Sequence, residues 1–407
     1  MAFTKTITAL DVGTYKITCI TGEVGSNGTV KINKVATVAS QGMSGGMIND
    51  IAKAKKSITS CIDAIEKKQG FRVKDLHLTI SGLQPNCHSV KETVKVGGKR
   101  VSNNDVNRLL KLCKSKVHDT DTPLLHATPL SYFVDGHPTD NPVGLIGKEL
   151  SIKITLTTCD AYSIKNIKSL LEHCDINVKE IAFDGYMAAI GCLDKEEKDL
   201  FTAVINIGSE TTSVSIMYKG KFVACSSFNI SGDNITNDIL STTATSKMEA
   251  EQIKIKHAHA VLSNSIAIQN PIEFHRAGEK NTVPSTINTS TITEIVQRRL
   301  EEIFDKCKQA PYFANADRII LTGGSAKIEN IAELCRLYLK KPSRIGTPNN
   351  VINLPSDYNN SMYTTTVGLL RHSGLNRPTE ESELVDKETL QEGSLITRLI
   401  NWVKTEL

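Results

Sequence analysis

An excess of either charge is missing from this chain: 48 Lys and Arg against 44 Asp and Glu leave a net +4 over 407 residues. No chain-wide basic field exists to recruit nucleic acid, and no nucleic-acid partner is expected. Aromatic residues make up only 5% and tryptophan occurs once, at Trp402, so that ring stands out. The ten cysteines are scattered with no CxxC pair, which argues against a zinc module or a disulfide-stapled fold. They read as small buried hydrophobes in a reducing compartment. His257 and His259 lack an adjacent acidic or cysteine partner and read as structural rather than as half a metal site. Long apolar runs are missing too. No window reaches the ~20 apolar residues of a membrane-spanning helix, and the start MAFTKTITALDVGT has no signal-peptide pattern. A cytoplasmic protein is expected, long enough for two or more domains.

What is there is a repeated glycine turn. ITALDVGTYKITCITGEV alternates apolar and polar residues on both sides of Asp11-Val12-Gly13-Thr14, which predicts strand, tight turn, strand. The same plan recurs in TAVINIGSETTSVSIMYKG, where Asp11 falls on Asn206 and Gly13 on Gly208, with the hydroxyls of Thr14 and Thr211 in or just beyond the turns. A duplicated unit is expected, each half contributing one hairpin to a shared cleft. A third turn, Gly323-Gly324-Ser325, follows the buried strand Arg318 to Leu321 and precedes a predicted helix with apolar Ile328, Ile331, Leu334 and Leu337. A helix start at such a turn offers bare backbone N–H groups to a ligand.

Amphipathic helices are predicted at AKAKKSITSCIDAIEKKQG, ending at Gly70, and at AYSIKNIKSLLEHCDI. Residues from about Gln84 to Leu156, rich in Val, Thr, Pro and Gly with one helix near Ser102 to Val117, read as an α/β insertion. Leu375 to Glu392 is polar, with six acidic residues from Glu380 to Glu392, and reads as a flexible linker. In GSLITRLINWVKTEL, the residues Leu395, Ile396, Leu399, Ile400, Trp402, Val403 and Leu407 fall within one sector of roughly 160°. Arg398 and Lys404 flank that sector. This is the pattern of a helix lying in an anionic membrane surface; docking on the protein's own body or on a partner is the alternative.

Two glycine-turn hairpins and a later LTGGSA turn form the signature of the actin, Hsp70 and sugar-kinase superfamily. Within it the chain resembles the FtsA family of bacterial cell-division proteins over essentially its full length. The resemblance rests on LDVGTYK (10–16), HATPLSYFVDG (126–136), NPVGLIGKELSIKITLTTCD (141–160), AEQIKIKHAHAV (250–261), LTGGSAKIENIAEL (321–334), RIGTP (344–348), TTVGLL (365–370) and the terminal helix. It implies an α/β actin-like fold with two lobes, duplicated ribonuclease-H-like cores and an inserted α/β subdomain. The implied first lobe comprises 1–83, 164–202 and 356–374, with the insertion at 84–163. The second lobe divides into 203–235 with 301–355, and 236–300; the linker spans 375–392 and the membrane helix 393–407. The resemblance further implies a scaffold that binds the C-terminal tail of the tubulin-like protein FtsZ, self-associates into protofilaments, lies on anionic membrane lipids of the inner face of the plasma membrane at the septum, and recruits later divisome membrane proteins.

For the cofactor, the resemblance implies ATP with Mg²⁺ between the lobes. Asp11 would hold the metal through water, Gly13, Thr14 and Lys16 would surround the β-phosphate, Gly323, Gly324 and Ser325 would pass under the α-phosphate and adenosine, and Glu251 and Lys254 would reach the ribose and base. Asn206, Gly208, Ser209, Glu210 and Thr211 would form the second phosphate loop, where the family pattern Asp-x-Gly-Gly-Gly-Thr is broken. Asn206 removes a carboxylate, so hydrolysis should suffer first; Ser209 and Glu210 add side chains in place of glycines. A carboxylate about 4 Å from a phosphate charge costs several kcal/mol at an effective dielectric of roughly 20. Glu210 would therefore weaken nucleotide binding if it pointed inward; pointing to solvent or binding the metal are the alternatives. No catalytic residue is assigned, and at most a weak ATPase is expected. A kinase or ATPase of the same superfamily, or a pilus-assembly actin-like scaffold, are the competing functions; neither needs the terminal helix.

Overall fold

The computed structural model describes residues 3–117, 122–262, 271–279 and 283–375. Two sheets repeat one plan. The first runs in the order Asn177–Phe183, Asp75–Ile80, Ile7–Val12, Lys16–Val24, Val30–Ala39, Val351–Ile352. The second runs Ser343–Ile345, Arg318–Thr322, Thr202–Ile207, Thr212–Tyr218, Lys221–Phe228. In each, the strand before the glycine turn pairs antiparallel with its hairpin partner and parallel with the strand on its other side. Every residue of Thr202–Ile207 is buried, as expected for a central strand covered on both faces.

Helices cover these sheets by apolar faces at helical spacing. Ile51–Gln69 is capped by the Asp50 carboxylate, which accepts from the Lys53 N–H at 3.1 Å, and stops at Gly70 in the left-handed region, φ 82°. It buries Ala54, Ile58, Cys61, Ile62 and Ile65 against the first sheet. Thr289–Cys307 buries Ile292, Val296, Leu300, Ile303 and Phe304 in the core of the second. We call these two bodies the first and second lobes.

Inserted into the first lobe is a four-stranded antiparallel sheet in the order Asn86–Arg100, Ile146–Thr158, Leu124–Val134, His137–Thr139. The helix Asn103–Lys114, started by a reciprocal Ser102 and Asp105 capping box, seats Leu109 and Cys113 in its small core. The inserted sheet meets the edge strand Lys221–Phe228 of the second lobe, where the Thr155 hydroxyl donates to the Val223 carbonyl at 2.8 Å and Lys221 Nζ donates to the Leu130 carbonyl at 2.9 Å.

The lobes are joined where the helix Asp184–Cys192 crosses the helix Thr364–Leu375. A methyl group on Gly191 would lie 1.9 Å from the Thr364 carbonyl oxygen, and one on Gly368 would lie 1.8 Å from that of Met187. The two backbones touch, and only glycine fits at either position.

Candidate functional site

The first hairpin turn is closed by Gly13, whose N–H donates to the Lys16 carbonyl at 3.1 Å. Just before it, the half-buried Asp11 carboxylate accepts from the Thr79 hydroxyl at 2.9 Å and the Thr366 hydroxyl at 3.4 Å. Burial pushes the Asp11 carboxyl up, with the opposite charge of Lys16 and these two hydroxyls pulling it back. Lys16 is held below its ordinary value by the same burial, its ammonium donating to Thr18 Oγ1 at 2.9 Å and lying 4.4 Å above the Tyr363 ring.

The second turn copies the first. Gly208 N–H donates to the Thr211 carbonyl at 2.9 Å, so Gly208 matches Gly13, Thr211 matches Lys16 and Glu210 matches Tyr15. The loop is pinned from behind: Ser231 Oγ donates to the Gly208 carbonyl at 2.8 Å, and the Asp233 N–H, in the first turn of the helix Gly232–Thr243, donates to the Ser209 carbonyl at 2.6 Å. Asn206, in the place of Asp11, is not left without a carboxylate, because its Nδ2 donates to Asp184 Oδ2 at 3.1 Å. Ser213 Oγ donates to the same oxygen at 3.3 Å. Burial first, and the nearby Asp11 charge second, push the Asp184 carboxyl up to about 7.

Glu210 departs from the inward-pointing alternative. Its side chain does not line the cleft, and its carboxylate accepts the backbone N–H of Gly45 in the first lobe. Gly45 lies between the short strands Met43–Ser44 and Met47–Ile48, so this glutamate links the lobes instead of facing a phosphate.

At the third turn, Gly323 has φ 89° and a methyl there would lie 2.4 Å from the Ile207 carbonyl oxygen, whereas Gly324 has no atom within 4 Å of that position. Ser325 Oγ donates to the Gly208 carbonyl at 3.2 Å, tying the third turn to the second. The helix expected straight after this turn is set back. A short 3-10 turn, Ser325–Lys327, intervenes, and Ile331–Leu339 begins only after Asn330 adopts the left-handed conformation, φ 62°. Leu337 is accordingly 55% exposed instead of on the buried face. Glu251 and Lys254, in the helix Lys247–His257, pair at 2.7 Å. Lys254 Nζ also donates to Thr236 Oγ1 at 2.7 Å and to the Gly232 carbonyl at 3.0 Å, so this is a pinned pair and not a solvated one.

Asp11, Gly13, Thr14, Lys16, Asn206, Gly208, Ser209, Thr211, Glu251, Lys254, Gly323, Gly324 and Ser325 all line one cleft of about 490 Å³ between the lobes. Glu210 alone of that set does not. Sequence reasoning missed Asp184, Tyr15, Ser81, Met362 and Thr365, which line it too. Asp184 carried a usable signal: a lone carboxylate in the apolar run IAFDGYMAAI has to find polar partners if buried. Among the described residues no three His, Cys, Asp or Glu side chains gather as a preformed metal cluster, and no helix is long and apolar enough to cross a membrane. Leu395, Ile396, Arg398, Leu399, Ile400, Trp402, Val403, Lys404 and Leu407 lie outside the described residues, as does the acidic linker from residue 376 on.

Two family models match, "Cell division protein FtsA" over residues 203–368 and "SHS2 domain inserted in FTSA" over residues 82–158, which falls on the inserted sheet. FtsA of Escherichia coli strain K12 is 28% identical over 415 residues, covering 99% of this chain and 98% of its own length. The chain belongs to the FtsA family. FtsA of Pseudomonas aeruginosa is also 28% identical, over 374 residues that span 90% of this chain and 89% of its own. Among solved structures, a PilM–PilN type IV pilus biogenesis complex superimposes with TM-score 0.62 at 13% identity, covering 91% of this chain and 99% of that one. Spiroplasma citri MreB5 bound to ADP superimposes with TM-score 0.50 at 15% identity, covering 96% and 99%. At such identities the likeness is one of fold, and the fold of this FtsA-family chain is actin-like.

Proposed function

We propose that this cell-division protein is an actin-like scaffold that binds the FtsZ C-terminal tail, assembles into protofilaments, holds them to anionic lipids of the inner membrane face at the septum through residues 393–407, and recruits later divisome membrane proteins. The observation that carries the reading is the near end-to-end similarity to FtsA of Escherichia coli, which includes the amphipathic tail. One short helix binds a bilayer weakly, but linking many into a filament makes later contacts intramolecular and adds avidity. The linker, if flexible, reaches roughly 20 to 25 Å, so the filament need not match the membrane rigidly.

The cleft is read as a site for ATP with Mg²⁺. The donor set fits a hard cation, since the half-buried Asp11 and the buried Asp184 are carboxyls fixed by hydroxyl and amide donors, and both are pushed toward the neutral form that a cation would reverse. Asp11, with Asp184 behind Asn206, would hold the metal; Gly13, Thr14 and Lys16 on one side and Gly208, Ser209 and Thr211 on the other would hold the phosphates. Glu251 and Lys254 would meet the ribose and base beside Gly323, Gly324 and Ser325. The bound metal would neutralise phosphate charge; the protein's part is to orient the chain of phosphates and exclude water.

The test is cosedimentation of the full chain with anionic vesicles, with and without FtsZ. We expect binding of both proteins to the vesicles, loss of binding by Trp402→Glu with an unchanged melting curve, and loss of FtsZ alone when its tail peptide is added in excess. Unchanged cosedimentation of Trp402→Glu would overturn the membrane assignment, and failure of the FtsZ tail to bind would favour a scaffold of the pilus-assembly kind.

A further inference from the structure

Two thiols meet at the seam between the inserted sheet and the second lobe. Cys87, in the strand Asn86–Arg100, and Cys225, in the strand Lys221–Phe228, are separated by 138 residues in sequence, yet their sulfur atoms lie 3.0 Å apart. Both are free thiols. A disulfide needs about 2.05 Å, so each sulfur has to travel only about half an ångström. A cleft of about 430 Å³ opens beside the pair, lined by both cysteines with Pro85, Asn86, Ser226 and Asn229. Small reagents can enter, and the half-buried Cys87 is the more accessible of the two.

The two thiols also differ in reactivity. Of the ten cysteines, Cys87 alone is held below its ordinary thiol value: its contact with the Cys225 sulfur is the chief cause, and the Thr157 hydroxyl at 3.5 Å adds to this against the opposing effect of burial. The other nine are pushed up, burial being the chief cause for all but Cys225. The thiolate is the attacking form and Cys87 is also the more exposed of the two sulfurs, which makes it the nucleophile and Cys225 the resolving partner. Two sulfurs with no third ligand beside them do not make a metal site among the described residues.

We infer that Cys87 and Cys225 form an oxidisable site at which a hydroperoxide joins them into a disulfide, fastening the inserted sheet to the second lobe. The Cys87 thiolate attacks the O–O bond of hydrogen peroxide, giving a sulfenic acid and a hydroxide that takes up a proton to leave as water. The Cys225 sulfur then attacks the Cys87 sulfur; hydroxide departs and leaves as a second water with the Cys225 proton. Two thiols have lost two electrons and two protons, and one peroxide has become two waters. The present seam is crossed by hydrogen bonds such as Thr155 to Val223 and Lys221 to Leu130, which exchange with water; the disulfide would not.

The experiment treats the full chain with hydrogen peroxide, blocks remaining thiols, digests without reductant and reads the peptides by mass spectrometry. We expect a Cys87–Cys225 linked pair two hydrogens lighter than the free peptides, reversed by dithiothreitol. Cys225→Ser should stop at a Cys87 sulfenic acid trapped by dimedone, and Cys87→Ser should remove both products. Hydrogen exchange in Lys221–Phe228 should slow on oxidation of the natural chain and not of Cys225→Ser. The absence of the 87–225 link from the oxidised natural chain, or dimedone trapping in Cys225→Ser at another cysteine in preference to Cys87, overturns the site. A link with unchanged exchange overturns the fastening.

Discussion

In the turn after Ile7–Val12, Gly13 donates to the residue three ahead, and in the turn after Thr202–Ile207, Gly208 does the same, at 3.1 and 2.9 Å. The backbone cradle is thus common to both halves, and the side chains differ. The first half keeps its carboxylate on the hairpin, at Asp11, braced by Thr79 and Thr366. The second carries an amide there, Asn206, and takes its carboxylate from Asp184 on a neighbouring helix. Tyr15 and Glu210 occupy the same place in the two turns; Tyr15 is 54% exposed at the cleft edge, while Glu210 reaches the opposite lobe. A duplicated fold can therefore conserve geometry while charge migrates to an adjoining element.

The largest effect should come from breaking the shared cradle. Gly208→Val puts a branched side chain on a Cβ 2.9 Å from the Thr211 carbonyl oxygen, and Gly13→Val does the same at 3.0 Å from that of Lys16. Titration calorimetry should show Mg²⁺-ATP affinity falling about 100-fold or more for either, ~3 kcal/mol. Next, Asn206→Asp sets two carboxyls against each other where Nδ2 now meets Asp184 at 3.1 Å. It should lower the melting temperature at pH 8, and the double variant Asn206→Asp with Asp184→Asn, which returns the charge to the hairpin, should recover most of the loss. Additive losses would show that the two positions do not share one charge.

Titration sharpens the same contrast. Asp184 stands at about 7 when folded against an ordinary 3.8, so folding favours its protonated form. Its stabilising contribution is complete below about pH 4 and is lost as pH rises through 7. Asp184→Asn should flatten that slope in nucleotide-free denaturation curves between pH 4 and 8, and an unaltered slope would remove Asp184 from the account. The smallest change is expected of Glu210→Ala: stability lower by about 1 kcal/mol for the lost charged hydrogen bond, and ATP affinity within about threefold of the natural chain. A tenfold gain in affinity would place the carboxylate in the phosphate site after all.

Much of the frame was legible because local rules govern it. The register of Gly13 on Gly208 follows from the apolar alternation around each turn, and the end of the helix Ile51–Gln69 at Gly70 follows from the left-handed conformation that glycine takes readily. What escaped depends on contacts distant in sequence. Asp184 is 22 residues from Asn206, and nothing in either segment predicts that the amide donates to that carboxylate. The direction of Glu210 is decided by Gly45, 165 residues away. The helix after Gly324 starts late because Asn330 turns the chain first, and an apolar periodicity carried through Ile328 hides that break. Cys87 and Cys225 showed no paired spacing because their pairing is made by the packing of an inserted sheet on another lobe.

The backbone contact at Gly191 and Gly368 is a bearing. Two rods pressed together with no side chains between them can pivot about the point of contact but cannot slide, since any shear would drive Thr364 or Met187 into a neighbouring residue that has a Cβ. The rod that ends at Leu375 is also wedged into the first lobe, with Gly374 against Val24 and the Arg371 guanidinium donating to the Gly28 carbonyl at 3.0 Å. The described chain thus ends, at Leu375, on the first-lobe side of that contact. Any rotation of the second lobe about this contact would leave Leu375 fixed in the first lobe.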